Sequence, residues 1–386
     1  TSLSGKELTV EIEASVTGDN GTWVSKASCS IGRDVAGGGG VGSKFYLVGG
    51  ASNADRTAKT TEIYNPSTNS WSTGADMTTG KRDGGSCAYG TKVYYLSGLT
   101  TDNWNSLNSA CLVYDTSSNS WSSIADISTA RAWFSADGYN NKLYAVGGHN
   151  GSTVINANNI YDVSSNSWSS GANMTTARRG AGVTAYSGNV YVVGGLNTSG
   201  SPLSTVEVYS ISSNSWSSKT SLNSARATKT SLLHNKIYAV NGELSGGTNS
   251  AAVEEYNITN NSWSNKTSDL TARRNAVVGV IGDKIYAVTG YTTTYSKVNN
   301  EFTPEGYITL TISSVSKTVT LSQSSSITLD LSSLSGGSYT LTVRLYDSAG
   351  TLLDTKTTNV LIPIRASLKG NAVSSLTANP TLVVAG

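Results

Sequence analysis

A segment that recurs at intervals of 47 to 50 residues constrains the fold of this chain more than any other feature. Its clearest mark is a tryptophan at the end of an Asn-Ser-Trp tripeptide, which occurs five times. The five tryptophans are Trp71, Trp121, Trp168, Trp216 and Trp263, and Trp23 marks a divergent sixth copy at the same spacing. Self-similarity at such a period is typical of proteins that stack one small structural unit several times.

Each copy predicts four short β-strands. The first strand is rich in small residues, as in residues 180–183, and a polar pair such as Asn140-Asn141 leads into the second. Such pairs adopt the positive φ angles that tight hairpins need. The second strand ends in a doublet such as Gly147-Gly148, a tyrosine seven residues before the tryptophan marks the third strand, and the tryptophan begins the fourth. Four strands per copy of this length are typical of a β-propeller blade, with the small residues near the central axis.

An arginine follows each tryptophan by ten or eleven residues. The six are Arg33, Arg82, Arg131, Arg178, Arg226 and Arg273. Their regular spacing favours a structural role, in which guanidinium groups bind main-chain carbonyls between blades, over a ring that binds an anion. The additional Arg179 and Arg274 are not part of a phosphate-binding motif, because no helix follows them.

The glycine doublet, the Tyr and Trp seven residues apart and the intervening arginine resemble the kelch repeat, in six copies over residues 20–302. The resemblance implies an all-β fold, a six-bladed kelch β-propeller, which we place at residues 17–303. The sixth copy lacks its tryptophan and has Phe302 where the others have tyrosine. Kelch proteins are similar in closing the ring with a strand from the other terminus, so we expect the segment around Trp23 to complete the sixth blade beside Phe302.

The pattern changes after residue 303. Apolar and polar residues alternate from Ile308 to Leu345, with intervening turns, which predicts a small antiparallel sandwich at residues 304–386. This region resembles an immunoglobulin-like domain, although only about five strands are evident where such domains have about seven.

Residues 1–16 contain one further predicted strand, in which Leu8, Val10 and Ile12 alternate with polar residues. The propeller already has its closing strand, so this strand is surplus to it. Two outcomes follow: it pairs within its own chain, or it, or the tail at residues 381–385, adds to the sheet of a neighbouring subunit. Repeated head to tail, the second arrangement would make a fibre.

Composition argues against several classes of function. The chain has 27 basic and 25 acidic residues, so it lacks the charge excess typical of proteins that bind nucleic acid or an anionic membrane. No apolar run is long enough for membrane insertion. A start at Thr1 without Met or a hydrophobic leader fits a processed extracellular or cell-surface protein, and equally a trimmed chain. The sequence allows glycosylation at Asn20, Asn150, Asn173, Asn197, Asn257, Asn260 and Asn265.

A kelch propeller followed by an immunoglobulin-like domain is also similar to galactose oxidase, whose copper is held by two His and two Tyr. The two histidines of this chain, His149 and His234, fall in different kinds of loop, which should leave opposite faces of a propeller. A copper site needs converging imidazoles. The three cysteines, Cys29, Cys87 and Cys111, are widely spaced and read as small buried thiols. We therefore expect no metal, no cofactor and no catalytic residues.

The long loops between second and third strands are the remaining candidates for function. Trp104 interrupts the repeat within one of them, Trp133 should lie near the same face, and His149 begins the next loop. We name these three as candidate ligand-binding residues, because exposed aromatic rings pack against sugars and partner proteins.

The predicted function is that of a non-enzymatic extracellular protein that adheres or self-assembles, for example as a filament or surface-layer subunit. Its partners would be copies of itself, or a cell-surface protein or glycan. A carbohydrate-binding module that uses the aromatic residues of the propeller face is one alternative. A secreted enzyme similar to galactose oxidase is the other, and the missing copper ligands count against it.

Overall fold

A computed structural model describes residues 7–12, 20–103, 106–304, 307–312, 315–320, 326–330, 337–346, 352–362 and 382–384. The chain divides into two compact units, of which one is Trp23–Phe302 and the other contains the described strands before and after it. Besides strands, the described residues form one short 3₁₀ turn, Ser245–Gly247. No helix among them is long and apolar enough to cross a membrane.

The first unit is a propeller of six four-stranded antiparallel sheets, each with its strands in sequence order apart from the last. Blades 1 to 3 are β3 (Gly37–Val41), β4 (Lys44–Val48), β5 (Thr61–Asn65), β6 (Ser70–Thr73); β7 (Gly85–Tyr89), β8 (Lys92–Leu96), β9 (Cys111–Asp115), β10 (Ser120–Ile124); and β11 (Ser135–Tyr139), β12 (Lys142–Val146), β13 (Asn158–Asp162), β14 (Ser167–Ser170). Blades 4 to 6 are β15 (Gly182–Tyr186), β16 (Asn189–Val193), β17 (Val206–Ser210), β18 (Ser215–Lys219); β19 (Ala227–Leu233), β20 (Lys236–Glu243), β21 (Asn249–Asn257), β22 (Ser262–Lys266); and β23 (Val277–Ile281), β24 (Lys284–Val288), β25 (Asn299–Thr303), β2 (Thr22–Lys26).

The ring closes as the repeat predicts. Strand β2 lies at the outer edge of the sixth sheet, in the order β2-β25-β24-β23. The rings of Trp23 and Phe302 are 4.9 Å apart, and the Trp23 indole donates to the carbonyl oxygen of Thr267, which follows β22 in blade 5. The expectation that Trp23 completes the sixth blade is therefore confirmed.

The Asn-Ser-Trp tripeptide joins each blade to the one before it. Asn214 adopts a left-handed φ of 49°, which asparagine tolerates better than most residues. Its side-chain oxygen accepts hydrogen bonds from the Tyr209 hydroxyl and from the backbone N–H of Ala172 in the preceding blade. The Trp216 indole donates to the carbonyl of the same Ala172 at 2.7 Å. The tripeptide is thus a clasp between blades, which explains its recurrence.

A basic side chain lies fully buried at the start of each blade and binds main-chain carbonyls, as expected, but these carbonyls belong to its own blade, so the prediction that the contacts run between blades is wrong. Arg178, for example, donates to the carbonyls of Gly194 and Thr205, both at 2.9 Å. The assignment of Arg82 to this set is wrong. Its place is taken by the buried Lys81, which donates to the carbonyl of Ala110. The set, here called the register side chains, is Arg33, Lys81, Arg131, Arg178, Arg226 and Arg273.

Four of the register side chains also pair with a buried carboxylate, which the sequence pattern did not lead us to expect. The pairs are Arg33 with Glu62, Arg178 with Glu207, Arg226 with Glu254 and Arg273 with Asp269. Since a buried cation is costly unless it is paired, these acids stabilise the register arginines of four blades.

The second unit contains two described sheets. One has the order β27-β26-β29-β30, with β26 Tyr307–Ile312, β27 Val315–Thr320, β29 Gly337–Tyr346 and β30 Leu352–Ile362. The other has the order β28-β1-β31, with β1 Glu7–Ile12, β28 Ser326–Asp330 and β31 Leu382–Val384. Leu8 and Val10 thus pair with Leu329 and Ile327 of the same chain, and Ile12 with Val384. Within a single chain the strand is therefore already used, and its donation to a neighbour stays a prediction.

Candidate functional site

The residues that immediately follow the register side chains in sequence form a circle around one end of the central channel. The six positions are Asp34, Arg82, Ala132, Arg179, Ala227 and Arg274. Five of them pair through their backbone with the segment that follows the second strand of their blade, as Arg179 does with Leu196, and Ala227 pairs with Glu243 at the end of β20. This end of the channel therefore carries the long loops. Five of the six positions line a cavity of about 310 Å³, here called the mouth cavity.

Three arginines occupy alternate blades around this cavity. Arg82, Arg179 and Arg274, here called the mouth arginines, belong to blades 2, 4 and 6. The positions between them carry an aspartate and two alanines. Since guanidinium groups match the planar geometry of carboxylates, this alternation offers an acidic ligand cationic partners on three sides.

Arg179 is the mouth arginine that is most prepared for a ligand. Its guanidinium lies 4.5 Å from the centre of the Trp133 ring, and its buried Nε has no hydrogen-bond partner among the described residues. Trp133 itself adopts a positive φ of 55°, an uncommon conformation for a bulky residue that tends to mark functional sites. The Trp133 ring therefore packs against the face of the Arg179 guanidinium, which leaves N–H groups at its edge available to a ligand.

Arg82 already holds a carboxylate. Its Nη1 lies 2.8 Å from Oδ1 of Asp102, an aspartate that is 48% exposed in the loop of blade 2. The other oxygen of Asp102 lies 2.6 Å from Nε of Arg56, which also lines the mouth cavity. Arg56 in turn lies over the ring of Tyr295. A loop carboxylate thus bridges two arginines of the cavity.

Arg274 is positioned by backbone and by an aromatic ring. Its Nη1 donates to the carbonyl of Gly247 at 3.0 Å, and its guanidinium lies 4.4 Å from the centre of the Tyr291 ring. The nearest carboxylate, that of Glu243, is 3.8 Å away and is too far for a hydrogen bond. The positive charge of Arg274 is therefore only partly compensated and can still attract an anionic ligand.

The floor of the mouth cavity carries an acid and an amine with shifted pKa values. Burial raises the pKa of Asp83 to about 7, although Arg82 and the Trp133 indole oppose the shift. Burial lowers the pKa of Lys229 to about 8, and Asp83 opposes that shift. The Lys229 ammonium donates to the Ser135 hydroxyl at 3.0 Å. Both groups therefore change charge near neutral pH.

A second cavity of similar volume continues along the channel from the first. Ala36, Gly84 and Lys229 line both, so Lys229 stands where the two meet. The mouth cavity has five basic and three acidic lining residues, namely Arg56, Arg82, Arg179, Lys229 and Arg274 against Asp34, Asp83 and Glu243. Its field therefore favours an anion.

Comparison with known proteins fits the repeat. The profile of the KLHDC2/KLHL20/DRC7 Kelch-repeats domain matches residues 39–224 and, in a second alignment, residues 87–290, which together span more than half of the chain. The chain belongs to the kelch-repeat family. Many chains of solved structures also match this chain. One described as "Structure of YjhT" is 13% identical with a TM-score of 0.61, and the match covers 76% of this chain and 99% of that one. At this identity the likeness shows the fold alone. No curated protein matches the chain.

Of the three predicted ligand-binding residues, one lines the mouth cavity of the kelch propeller. Trp133 does so as a stacking partner for Arg179. His149 lies just outside, with its backbone paired to Ala132, and burial and then Arg179 lower its pKa. Trp104 lies outside the described residues.

The other predictions concern metal and glycan. His234 lies in the β19–β20 hairpin beside Asp283, at the end of the kelch propeller opposite the loop of His149. No three His, Cys, Asp or Glu side chains within the described ranges are grouped as a metal site would need. The seven glycosylation sequons are all at least partly exposed; their modification stays a prediction.

Sequence reasoning missed the mouth arginines. The spacing from the tryptophan groups Arg82 with the register side chains, and the lack of a following helix argues against a phosphate-binding role for Arg179 and Arg274. A signal was available in the Arg-Arg pairs at 178–179 and 273–274. Successive residues of an extended segment point in opposite directions, so only one arginine of each pair can face the core of a blade.

The shifted groups on the floor predict a pH dependence of anion binding. Between about pH 6 and pH 9 Asp83 gains a negative charge and Lys229 loses a positive one, so the cavity becomes more negative. A carboxylate ligand should bind more weakly at the higher pH. Asp83→Asn should remove the part of this change that is centred near pH 7. Calorimetric titration across the range checks this, and affinity that rises with pH would contradict it.

Proposed function

We propose that the mouth cavity of the kelch propeller binds a small ligand that carries a carboxylate, most simply an acidic sugar, without catalysing its conversion. The observation that carries this proposal is the set of mouth arginines on alternate blades, together with the Asp102 carboxylate that Arg82 and Arg56 already hold. Charge-assisted hydrogen bonds between arginine and carboxylate are among the strongest polar contacts in proteins.

The size of the site favours a small molecule. A cavity of about 310 Å³ lies at the lower end of the range for ligand pockets. All six blades contribute to its lining, and Asp83 and Lys229 lie on its floor, so a ligand the size of one sugar ring would have polar groups on every side. The proposed function is the carbohydrate-binding alternative, with the arginines in place of the aromatic rings as the main contacts to the ligand.

The test compares two sugars that differ in one group. Glucuronate should bind the protein in a calorimetric titration, and glucose, which lacks the carboxylate, should not. Lys44→Ala removes a positive charge from the exposed end of the β3–β4 hairpin, at the opposite end of the propeller, and should leave the affinity unchanged. Equal binding of both sugars would overturn the proposal. So would the finding that neither sugar and no other small carboxylic acid binds.

Asp102 should compete with the ligand for Arg82. Asp102→Asn is expected to tighten glucuronate binding by about two- to fivefold, since an exposed ion pair contributes up to about 1 kcal/mol. Asp283→Asn is the matched control, because Asp283 is 49% exposed, like Asp102, but lies in the β23–β24 hairpin at the other end of the propeller. Weaker binding by Asp102→Asn would mean that Asp102 positions the arginines instead.

Self-assembly is a second proposal, favoured by the position of β1. This strand is the central one of the sheet β28-β1-β31, so exchange of β1 between copies would preserve every pairing while linking the chains. The remaining finer predictions go with it: an extracellular or cell-surface location, adhesion, and an immunoglobulin-like character for the second unit.

The assembly proposal predicts that full-length protein forms oligomers or fibres and that deletion of residues 1–16 yields species no larger than a monomer. Analytical ultracentrifugation and electron microscopy of both proteins provide the measurement. A full-length protein that sediments as a monomer at high concentration would remove this proposal and would leave the ligand site untouched.

A further inference from the structure

Lys229 stands where the other blades have small or apolar residues. In the strand pairing Lys229 lies opposite Val240, and the residues at the same place in the other blades are Gly37, Gly85, Ser135, Gly182 and Val277. The pairing of β19 with β20 shifts register between Ala227 and Lys229, and such bulges redirect side chains, often beside functional sites. The local backbone of blade 5 is therefore adapted at the point where the lysine enters the channel.

The amine of Lys229 borders the channel cavities and forms no ion pair with any residue that the structure describes. It lines both channel cavities, and its hydrogen bond goes to the hydroxyl of Ser135, across the channel, instead of to a carboxylate. Its lowered pKa gives it two to three orders of magnitude more neutral amine at neutral pH than an ordinary lysine has. The neutral amine is the nucleophilic form.

We propose that Lys229 forms a reversible imine with small oxo acids, whose carbonyl reaches the floor of the mouth cavity while their carboxylate is held by the mouth arginines. The carboxylate half rests on the proposed function. The imine goes beyond it, because it adds a covalent bond to recognition that is otherwise non-covalent.

The chemistry balances without any further reactant. The nitrogen lone pair of Lys229 attacks the carbonyl carbon, and a proton moves from nitrogen to the carbonyl oxygen to give a carbinolamine. Loss of one water then leaves the imine, and addition of water reverses the step. Ser135, hydrogen-bonded to the amine, and Asp83, with a pKa near neutrality, are the neighbouring groups that can carry the proton.

Borohydride trapping tests the proposal. The full-length protein is incubated with glyoxylate and sodium borohydride, and the reduced adduct is located by peptide mapping. Lys229 should be modified at least about tenfold faster than Lys44, an exposed lysine at the other end of the propeller, because burial lowers the pKa of Lys229 and gives it more neutral amine. Lys229→Met should lose this fast adduct and keep the slow ones. Modification of Lys229 no faster than that of Lys44 would overturn the proposal, and mapping of the unaltered protein makes this result independent of whether the variant folds.

A neutral aldehyde separates the imine from carboxylate recognition. Glycolaldehyde resembles glyoxylate in size but lacks the carboxylate, so the ratio of the two trapping rates at Lys229 reports the arginines. Arg179→Ala should lower that ratio about 10- to 100-fold, the loss expected for one charge-assisted hydrogen bond, and Lys44→Ala should leave it unchanged. If Lys229 is trapped fast but Arg179→Ala leaves the ratio of the two rates unchanged, the proposed role of the arginines in holding the carboxylate is overturned. Glucuronate binding without trapping would overturn the imine and leave the proposed function standing.

Discussion

Glu207→Gln should lower the free energy of unfolding of the protein by about 3–5 kcal/mol. Glu207 pairs with Arg178 at 2.5 Å, and both side chains are buried between strands of blade 4. Its carboxylate also accepts hydrogen bonds from the backbone N–H groups of Thr175 and Thr176. The amide keeps the volume but leaves the guanidinium as an uncompensated buried charge, which is the costly part of breaking such a pair.

Chemical denaturation followed by tryptophan fluorescence measures this loss. Asp162→Asn serves as the control, because Asp162 pairs with Lys142 at the surface of blade 3, and the control should leave the denaturation midpoint almost unchanged. Equal midpoints for Glu207→Gln and the parent would contradict the structural role assigned to the register side chains.

Blade 3 offers the reverse substitution. Arg131 is buried in the same register, but Asn159 stands where blade 4 has Glu207. Two of its guanidinium nitrogens lack a hydrogen-bond partner within the described part of the chain, and burial lowers its pKa to about 10. Asn159→Glu should therefore raise the denaturation midpoint, and a lower midpoint would show that blade 3 has no room for the carboxylate.

Arg179→Ala should weaken glucuronate binding by about 10- to 100-fold, while the protein unfolds at the same denaturant concentration as the parent. Arg179 stacks on Trp133 and keeps a buried Nε without a partner among the described residues. Its loss thus removes a ligand contact without breaking an ion pair of the fold.

Arg178→Ala is the informative comparison for this variant, because it changes the adjacent residue. Arg178 faces the core of the blade and pairs with Glu207. Arg178→Ala should therefore lower the free energy of unfolding, and it should not remove a direct contact with the ligand. Calorimetric titration and denaturation of both variants separate the two roles, and loss of affinity through Arg178→Ala with full affinity in Arg179→Ala would reverse the assignment.

The blades and their closure could be predicted because they depend on residues that recur. Trp, Tyr and Asn-Ser-Trp each make the same contact in successive blades, so spacing alone locates them. The same arithmetic misassigned blade 2, where Arg82 lies eleven residues after Trp71 and Lys81 lies ten residues after it. In blade 2 the constant distance from the tryptophan identifies the buried residue as Lys81, whereas residue type alone points to Arg82.

The buried acids were also within reach of the sequence. Glu62, Glu207 and Glu254 each stand two residues before the recurring tyrosine, on the same face of the strand as that buried ring. The mouth cavity was harder to foresee, because each of six blades contributes a few lining residues and the blades are nearly fifty residues apart along the chain. Whether Arg179 and Arg274 face the cavity depends on the direction of their side chains. That direction follows from the burial of the neighbouring register arginine.

A crystal structure of the protein with glucuronate is the most direct test of the central claim, that the mouth arginines hold a carboxylate. We expect the carboxylate within hydrogen-bond distance of Arg179 and of at least one of Arg82 and Arg274, with the sugar ring inside the mouth cavity. An empty cavity in crystals soaked at saturating glucuronate, or a sugar bound with its carboxylate away from all three arginines, would contradict the account.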